Sequence, residues 1–396
     1  MGWSYDQFLD TLTARQELIV QLGLERMVAA SARLRHPEHR LPPVIHVAGT
    51  NGKGSTIAFL RSLLGSPHCR VATYTSPHLC DLRERMQCDG ISISPEEIAQ
   101  IGEEVACRCH DIPLTYFEYL TLIAFQWMTR DRCDCLLCET GLGGRLDATN
   151  IVQPVLTVLT PIAQDHAAQL GTTLVEIARE KCGIVKPGIP VVSAPQRDTV
   201  RECIRAASAS REATVLWAVP VPASVPLGLA GAHQRINAGV AMAAAQWLRG
   251  AGWNVASPGV LGATRWDGRC EWLSTTPPIL YDVAHNPHGM AAVIDYLRTI
   301  VAGRPVTVYL GSMRDKPIAE MVAVLVPFVD QVVAVALPSA RAIDAEALAA
   351  LVREHGCAAD VCSLDGLPER LQRADSARCH LVTGTHQLYA VARSAV

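Results

Sequence analysis

The stretch VIHVAGTNGKGSTIAFLRSLL, residues 44–64, constrains the fold more than any other part of the chain. A short apolar run is followed by a glycine-rich turn. The next segment has Ile57, Leu60, Leu63 and Leu64 on one side of a helix. A strand, a glycine-rich turn and a helix in this order form the unit that binds phosphate groups in many nucleotide-binding proteins. The stretch therefore predicts an α/β domain with a nucleotide site.

The spacing of this loop differs from the usual G-x-x-x-x-G-K-[ST] pattern. Gly52 and Lys53 form the expected G-K pair, but Val47 occupies the first glycine position. Gly54 stands where a metal-binding hydroxyl residue is usual, and the Ser-Thr pair begins only at Ser55. A magnesium ion near this loop must therefore take its protein ligands from elsewhere. A glycine-rich turn that binds no ligand is the alternative.

Three polar residues that follow apolar strands are candidate metal ligands. Glu139 ends the run CLLCE and precedes a glycine turn. Ligands bind at the carboxyl ends of strands in parallel α/β sheets, and a carboxylate suits magnesium. Ser76 in YTSPHL and His166 in QDHAAQLG are the further candidates. The alternatives are a solvated glutamate at a strand end and a structural histidine.

Strand and helix patterns alternate along the first part of the chain. The predicted strands are PVIHVAG, RVATYTSPH, CDCLLCETG, PVLTVLTPI and IPVVSAP, and the predicted helices are KGSTIAFLRSLLG, YFEYLTLIAFQWM and INAGVAMAAAQWLRGAG. This alternation is typical of a mainly parallel sheet covered on both faces.

The composition changes at residues 271–280, EWLSTTPPIL, where serine, threonine and two prolines suit a linker. Strands and helices alternate again after it, in a second and smaller α/β domain. We therefore predict a first domain over residues 1–272, a linker over 273–279 and a second domain over 280–396. A chain of 396 residues has the length for two domains.

The net charge, the N-terminal sequence and the length of the apolar runs indicate the kind of partner and the location to expect. The net charge of −3 gives no reason to expect a nucleic-acid partner. The N-terminus MGWSYDQFLD lacks the features of a signal peptide, and no apolar run is long enough for a membrane span. We therefore expect a cytoplasmic protein with small-molecule substrates, and we expect it to be a monomer.

The 14 cysteines include two clusters that could suggest a zinc site. The spacing within the clusters is irregular, and side chains along one strand point to opposite faces, so convergence on one ion is unfavourable. We expect buried, reduced cysteines that act as small apolar residues and no disulfide framework. The clusters comprise Cys107, Cys109 and His110, and Cys133, Cys135 and Cys138.

The whole set of motifs resembles one known family. The motifs HVAGTNGKGS, TSPHL, LTYFEY, ETGLGGRLDATN, DHxxxLG, EIAREKCGIVKPG, DVAHNPHG and LGSMRDK occur in this order between about Leu22 and Gln387. They are similar to those of the folylpolyglutamate synthase and dihydrofolate synthase family, a branch of the Mur ligase superfamily. The resemblance implies a P-loop-type ATP-binding domain followed by a smaller Rossmann-like domain, as in Mur ligases. The unusual loop spacing is also the family's own.

The resemblance also implies roles for individual residues. Lys53, Glu139, His166 and Lys181 would be catalytic, and Lys181 would be carbamylated. Two magnesium ions would be held by Ser76, Glu139, His166 and the modified Lys181, and a monovalent cation could join them. The ATP contacts would be Gly49, Thr50, Asn51, Gly52, Lys53, Gly54, Ser55, Asn237, Arg269, Asp282 and His285. The pterin contacts would be Thr115, Phe117 and Asp147.

Three positions depart from the family pattern, and none is a proposed metal ligand. Asp267 stands where proline is common, Gln164 occupies a usually apolar position, and Thr385-His386 replaces a more usual Ser-Phe pair. These differences weaken the expectation for contacts around the linker in particular.

The implied reaction is ATP-dependent ligation of L-glutamate to a carboxylate through an acyl phosphate. LTYFEY resembles the form found in bifunctional bacterial enzymes, which act on both dihydropteroate and tetrahydrofolate polyglutamates. A monofunctional folylpolyglutamate synthase is the alternative. A peptidoglycan Mur ligase is disfavoured because the loop begins by residue 49 and contains Gly54. A regulatory GTPase is disfavoured because the chain has no N-K-x-D motif.

Overall fold

A computed structural model describes residues 2–16, 22–65, 69–130, 133–301 and 303–396. These residues form two compact units. The first comprises residues 1–162, 173–226 and 236–263, and the second comprises 163–172, 227–235 and 264–396. The main stretch of the second unit begins at residue 264, before the predicted boundaries at residues 272 and 280, and two short internal segments also belong to this unit.

The described strands are β1 (Val44–Ala48), β2 (Val71–Tyr74), β3 (Met86–Cys88), β4 (Ile91–Ser92), β5 (Cys135–Glu139), β6 (Leu156–Leu159), β7 (Val191–Ser193), β8 (Val215–Trp217), β9 (Glu271–Thr275), β10 (Pro278–Asp282), β11 (Val306–Leu310), β12 (Gln331–Ala336), β13 (Ala358–Ser363) and β14 (Cys379–Thr383).

The α-helices are α1 (Tyr5–Gln16), α2 (Glu25–Arg33), α3 (Lys53–Leu64), α4 (Pro95–Arg108), α5 (Tyr116–Arg130), α6 (Ala167–Leu170), α7 (Leu174–Cys182), α8 (Asp198–Ala209), α9 (His233–Gly250), α10 (Pro287–Ile300), α11 (Ile318–Leu325), α12 (Ala345–Glu354), α13 (Leu367–Gln372) and α14 (Leu388–Ser394). Short 3-10 helices cover Pro37–Arg40, Leu82–Arg85, Ala148–Ile151, Pro258–Ala263 and Val326–Phe328.

The first unit contains a sheet of eight strands in the order β4-β3-β2-β5-β1-β6-β7-β8. The strands from β2 to β8 in this order are parallel, and β3 and β4 are antiparallel additions at one edge. Every residue of β1 and β5 is buried, which explains their nearly continuous apolar sequence. The predicted mainly parallel sheet is therefore confirmed.

Helix α5 forms much of the core beside this sheet. Eleven of its 15 residues are buried, from Glu118 to Met128. Buried residues lie on every side of this helix, so protein surrounds it along most of its length. Its aromatic residues Tyr119 and Phe125 are fully buried. The hydroxyl of Tyr74, the last residue of β2, lies 3.0 Å from the hydroxyl of Thr121, so α5 packs against the carboxyl end of this strand.

The second unit has its own sheet of six strands in the order β13-β12-β11-β14-β10-β9. Strands β10 to β14 pair in parallel, and β9 is antiparallel to β10. The buried side chains of this unit form a separate apolar cluster between the sheet and its helices. The predicted second α/β domain with its own sheet is confirmed.

The predicted linker at residues 273–279 is wrong, because these residues belong to a β-hairpin. β9 and β10 pair with each other, with Pro278 beside Thr275. The two prolines do not break the sheet. Pro277 lies in the turn and Pro278 is the first residue of β10, positions where a missing N–H group is tolerated. The serine, threonine and proline residues at positions 274–278 therefore belong to a hairpin and its turn, not to a linker.

The cysteines match the prediction only in part. Cys135 and Cys138 are buried within β5, and burial raises the pKa of both thiols, so they remain neutral. Cys107 is exposed. The Sγ atoms of Cys88 and Cys133 lie next to each other, and the reduced state of the cysteines stays a prediction.

Within the described parts of the chain, no helix combines the length and apolar character that crossing a membrane requires.

Candidate active site

The glycine-rich loop joins β1 to α3 in the first unit. Gly49 has a φ of +154°, and a Cβ atom there would lie 1.9 Å from Oγ1 of Thr160. Gly52 has a φ of +83° and immediately precedes α3. Both positions require glycine, for steric and conformational reasons. The loop therefore brings its backbone and the N-terminus of α3 together, the arrangement that favours bound phosphate.

The loop is fixed to the neighbouring strand connection. The backbone N–H groups of Thr50 and Asn51 donate to the carbonyl oxygen of Pro161, at 3.0 and 3.2 Å. Pro161 follows β6, which pairs with β1 in the sheet. These bonds hold the first half of the loop at the carboxyl end of β1 and β6 without a bound ligand. The site is therefore largely preformed.

Lys53 and Glu139 form the charged centre of this loop. Nζ of Lys53 lies 3.7 Å from Oε1 of Glu139, and the two side chains are 17% and 5% exposed. The parallel register places Glu139 beside Val47, because β1 and β5 have their carboxyl ends at the same end of the sheet. The backbone N–H group of Ser76 donates to Oε2 of Glu139 at 3.1 Å. Three predicted site residues therefore lie together.

Lys181 also reaches this loop. It lies near the end of α7, is 5% exposed, and its Nζ donates to the carbonyl oxygen of Gly49 at 2.9 Å. A lysine is rarely buried without a functional or structural reason. The structure therefore connects Lys181 to the phosphate-binding loop across 132 positions of sequence.

Asn237 lies against the same loop from α9. A Cβ atom on Gly52 would be 2.2 Å from Oδ1 of Asn237. The missing side chain at Gly52 is therefore what lets the amide of Asn237, which is 3% exposed, approach the loop. From sequence alone, Asn237 has no feature that distinguishes it from a helix-capping residue.

The predicted pterin contacts cluster around the turn that follows β5. A Cβ atom on Gly141 would lie 2.6 Å from Cζ of Phe117. Asp147 accepts hydrogen bonds from the backbone N–H groups of Leu142 and Thr149, at 2.7 and 3.0 Å. Burial raises the pKa of Asp147, although these hydrogen bonds oppose the shift. Asp147 therefore has a clear structural role in holding this turn.

Thr115 begins α5 as part of a capping pair. Its backbone N–H group donates to Oε2 of Glu118 at 2.8 Å, and its hydroxyl accepts from the backbone N–H group of Glu118 at 3.4 Å. Glu118 is itself paired with Arg26 at 2.8 Å. This pairing fixes the start of α5, and Phe117 lies in the same first turn.

In the second unit, Asp282 ends β10 and is 5% exposed. Its carboxylate accepts from the backbone N–H groups of Cys270 and Ala284, both at 2.8 Å. Arg269 donates from Nη1 to the carbonyl oxygen of Gly268 at 3.1 Å. Asp282 thus fixes the backbone next to Arg269.

A buried charged network surrounds Asp165 within the second unit. The Asp165 carboxylate accepts from Nζ of Lys316 at 2.8 Å and from Nδ2 of Asn286 at 3.0 Å. Nε2 of His285 lies 3.5 Å from the same carboxylate. Burial alone would raise the pKa of Asp165, but the hydrogen bond from His285 and the charges of His166, His285 and Lys316 lower it well below its usual range. Asp165 is therefore an anion that organises its neighbours.

His166 belongs to this network. Its Nε2 accepts from Nζ of Lys316 at 3.1 Å, and its backbone N–H group donates to Asp165 at 2.8 Å. Coordination of a metal through Nε2 would require the bond to Lys316 to break. Sequence reasoning missed the roles of Asp165, Lys316 and Asn286. All three occur within the motifs DHxxxLG, LGSMRDK and DVAHNPHG, but their spatial contact was not readable from those motifs.

Comparison of the sequence with known proteins identifies related proteins. The family model described as Mur ligase, glutamate ligase domain, matches residues 268–386. The dihydrofolate synthase/folylpolyglutamate synthase of Bacillus subtilis (strain 168) is 34% identical over 360 residues, which cover 81% of this chain and 83% of that protein.

Solved structures of two proteins are similar to this structure over nearly the whole chain. Escherichia coli FolC in complex with DHPP and ADP has a TM-score of 0.89 at 29% identity, covering 98% of this chain and 96% of that one. The Yersinia pestis bifunctional folylpolyglutamate synthase/dihydrofolate synthase, complexed with AMPPNP and Mn ion, has a TM-score of 0.87 at 29% identity, covering 99% and 98%. The chain therefore belongs to the dihydrofolate synthase/folylpolyglutamate synthase family of Mur ligases.

Proposed function

We propose that this protein is an ATP-dependent ligase that joins L-glutamate to dihydropteroate and to tetrahydrofolate polyglutamates. The observation that carries the proposal is the pairing of Lys53 with Glu139 at 3.7 Å beside a glycine-rich loop, in a chain of this family. The names of the relatives in Bacillus subtilis and Escherichia coli support both activities.

The proposed reaction has two chemical steps. A carboxylate oxygen of the acceptor attacks the γ-phosphorus of ATP, and the bond to the β–γ bridging oxygen breaks, which gives an acyl phosphate and ADP. The amine of glutamate then attacks the acyl carbon. Inorganic phosphate leaves, and the amine loses a proton as the amide forms. Activation is required because a free carboxylate has no adequate leaving group.

The loop residues would bind and orient the nucleotide. Gly49 to Ser55 would surround the phosphates with backbone N–H groups at the start of α3. Lys53 would place a positive charge against the transferring phosphoryl group, where negative charge must be stabilised. We further propose Asn237 in the first unit, and Arg269, Asp282 and His285 in the second, as nucleotide contacts.

The residues at the loop fit a divalent metal. Glu139 offers a buried carboxylate at the carboxyl end of a parallel strand, an oxygen donor of the kind that magnesium prefers. We propose Glu139, Ser76 and Lys181 as its protein ligands at the loop, and His166, whose Nε2 would have to leave Lys316, as a further ligand. When bound, magnesium would offset the charge of the phosphate oxygens. Glu139 would hold the metal and orient Lys53 at the same time.

Carbamylation of Lys181 remains part of this proposal. Addition of carbon dioxide to the neutral amine would release a proton and convert a cation into an anion. A carbamate nitrogen keeps one hydrogen, so it could still donate to the carbonyl oxygen of Gly49, the partner of Nζ in the unmodified side chain. The modification is thus compatible with the contact that holds Lys181 at the loop.

The pterin group would bind near the turn after β5. Phe117 offers an aromatic ring close to Gly141, and Thr115 and Asp147 lie in segments that are fixed by hydrogen bonds. Such preformed surroundings suit recognition of a rigid ring system. Cytoplasmic location and a monomeric state remain predictions from the sequence.

One assay tests the proposal. Purified protein is incubated with ATP, magnesium and L-glutamate, and with either dihydropteroate or a reduced folate, and the products are identified by mass. We expect a gain of one glutamate with the first acceptor and of one or more with the second, with one ADP formed for each bond. Product from the reduced folate alone would identify a monofunctional folylpolyglutamate synthase. No product from either acceptor, in a protein that binds ATP, would contradict the proposal.

A further inference from the structure

A cluster of metal-ligating side chains lies outside the proposed active site. His36, Glu38 and His39 lie at the turn between α2 and β1. One ligand atom from each of the three lies within 4.8 Å of the other two. None of these residues is proposed to bind ATP, folate or magnesium.

The cluster has the geometry of a binding site with three protein ligands. Oε1 of Glu38 lies 3.0 Å from Nδ1 of His36 and 3.6 Å from Nε2 of His39. A tetrahedral zinc ion with bonds of about 2.0–2.1 Å requires ligand atoms about 3.3 Å apart. These two distances are close to that spacing, and rotation of the exposed imidazole rings would direct their nitrogens at one ion.

The carboxylate of this cluster is held in place from behind. The other oxygen of Glu38 accepts a hydrogen bond from the hydroxyl of Ser31, a buried residue of α2. The Glu38 side chain is only 7% exposed, whereas those of His36 and His39 are 46% and 70% exposed. A ligand fixed by an outer hydrogen bond, with the two imidazoles open to solvent, leaves room for an ion and a water molecule.

The backbone supports the same arrangement. His36 has a φ of +53° and donates its backbone N–H group to the carbonyl oxygen of Ser31 at 2.8 Å. The backbone N–H group of His39 donates to the carbonyl oxygen of His36 at 3.1 Å. Pro37, between them, is buried. The turn is therefore fixed. The two imidazole rings stack with their centroids 5.0 Å apart and their planes nearly parallel, so at least one ring must rotate before both nitrogens point at one ion.

We propose that His36, Glu38 and His39 form a binding site for a zinc-class transition-metal ion on the first unit. Two imidazoles and one carboxylate favour zinc, nickel or copper over magnesium, which prefers oxygen ligands alone. The site therefore takes a different metal from the one proposed at Glu139. It ties the end of α2 to the segment that leads into β1, and Ser31 is a positioning residue for Glu38.

The test measures zinc binding by calorimetry with magnesium and AMPPNP in excess, so that the nucleotide site does not compete. We expect one zinc ion per chain, and at least a 10-fold loss of affinity in His39→Ala and in His36→Ala. His39→Ala is the more secure variant because its side chain is the most exposed of the three. Ser31→Ala should weaken binding about 10-fold. The control His355→Ala removes an exposed histidine of the second unit and should bind zinc as the wild type does.

X-ray absorption at the zinc edge identifies the ligands, which matters because Cys80 and Cys107 are exposed. We expect nitrogen and oxygen neighbours at about 2.0–2.1 Å and no sulfur at about 2.3 Å. Unchanged affinity in both histidine variants, or a sulfur-dominated spectrum, would overturn the proposal. The readouts do not involve ligase activity, so this result is independent of the proposed function.

Discussion

Replacing Glu139 by glutamine tests the charged centre of the proposed site. The change keeps the size of a side chain that is 5% exposed and removes its charge, 3.7 Å from Nζ of Lys53. With an effective dielectric constant of about 20, this ion pair has a gross attraction of about 4.5 kcal/mol. The relief of carboxylate desolvation offsets part of this value, so we expect a net loss of folding free energy of about 1–3 kcal/mol.

The effect on activity should exceed what the change in stability explains. The variant loses the proposed metal ligand and the anion that orients Lys53, so we expect kcat/KM to fall about 100-fold or more, which corresponds to about 2.7 kcal/mol. The half-saturating magnesium concentration should also rise. The assay is initial-rate ligation over a magnesium series at a temperature where the variant is folded.

A matched control separates this effect from a general loss of negative charge. Glu104→Gln makes the same chemical change at a surface carboxylate that pairs with Arg108 and Arg130. Its magnesium dependence should equal that of the wild type. A folded Glu139→Gln protein with activity within about threefold of wild type and an unchanged magnesium dependence would refute the role of Glu139.

Three other changes test separate parts of the account. Lys53→Ala should keep the far-ultraviolet circular dichroism spectrum and weaken both ATP binding and turnover; unchanged kinetics would make the loop a structural turn only. Lys181→Ala should lose most activity, and small carboxylic acids should restore part of it if the carbamate is the functional group; a crystal structure grown with carbon dioxide that shows unmodified Lys181 pointing away from bound metal would contradict the modification. Acidification should destabilise the protein through His46. Burial and the charge of Lys186 lower the pKa of His46 to about 3, so between about pH 6.5 and 3 the unfolded chain binds the extra proton. The free energy of unfolding should fall there by up to about 1.4 kcal/mol per pH unit from this group, and His46→Gln should reduce that slope, measured by urea unfolding.

The strands and helices could be predicted because apolar periodicity and turn residues are local features of the sequence. The glycine-rich turn at Gly49 to Ser55 lies between a strand and a helix, and both were expected from apolar periodicity. Because Glu139 ends a buried strand, the sequence predicted that it lies at the carboxyl end of the sheet, where ligands bind. The order of the strands was not predicted, so the proximity of Glu139 to Lys53 is known only from the structure, in which β5 lies beside β1.

The contacts that local sequence patterns could not predict join residues far apart in the chain, and the place of Lys181 in the site came only from the family resemblance. Asp165 and Lys316 are separated by 151 positions, and Lys181 and Gly49 by 132. No periodicity reports such a pair, because the contact depends on how separate strands and helices pack. The hairpin at residues 271–282 was missed for a different reason. Proline suits a linker, a turn and the first residue of a strand equally well, so composition does not distinguish them.

Isotope transfer from the acceptor carboxylate tests the central claim most directly. Dihydropteroate labelled with oxygen-18 in its carboxyl group is incubated with the protein, ATP, magnesium and L-glutamate, and the inorganic phosphate is analysed by mass. An acyl phosphate requires one carboxylate oxygen to leave with the phosphate, so we predict one labelled oxygen in phosphate for each dihydrofolate formed. Dihydrofolate formed with unlabelled phosphate, or with the label in AMP, would contradict this mechanism.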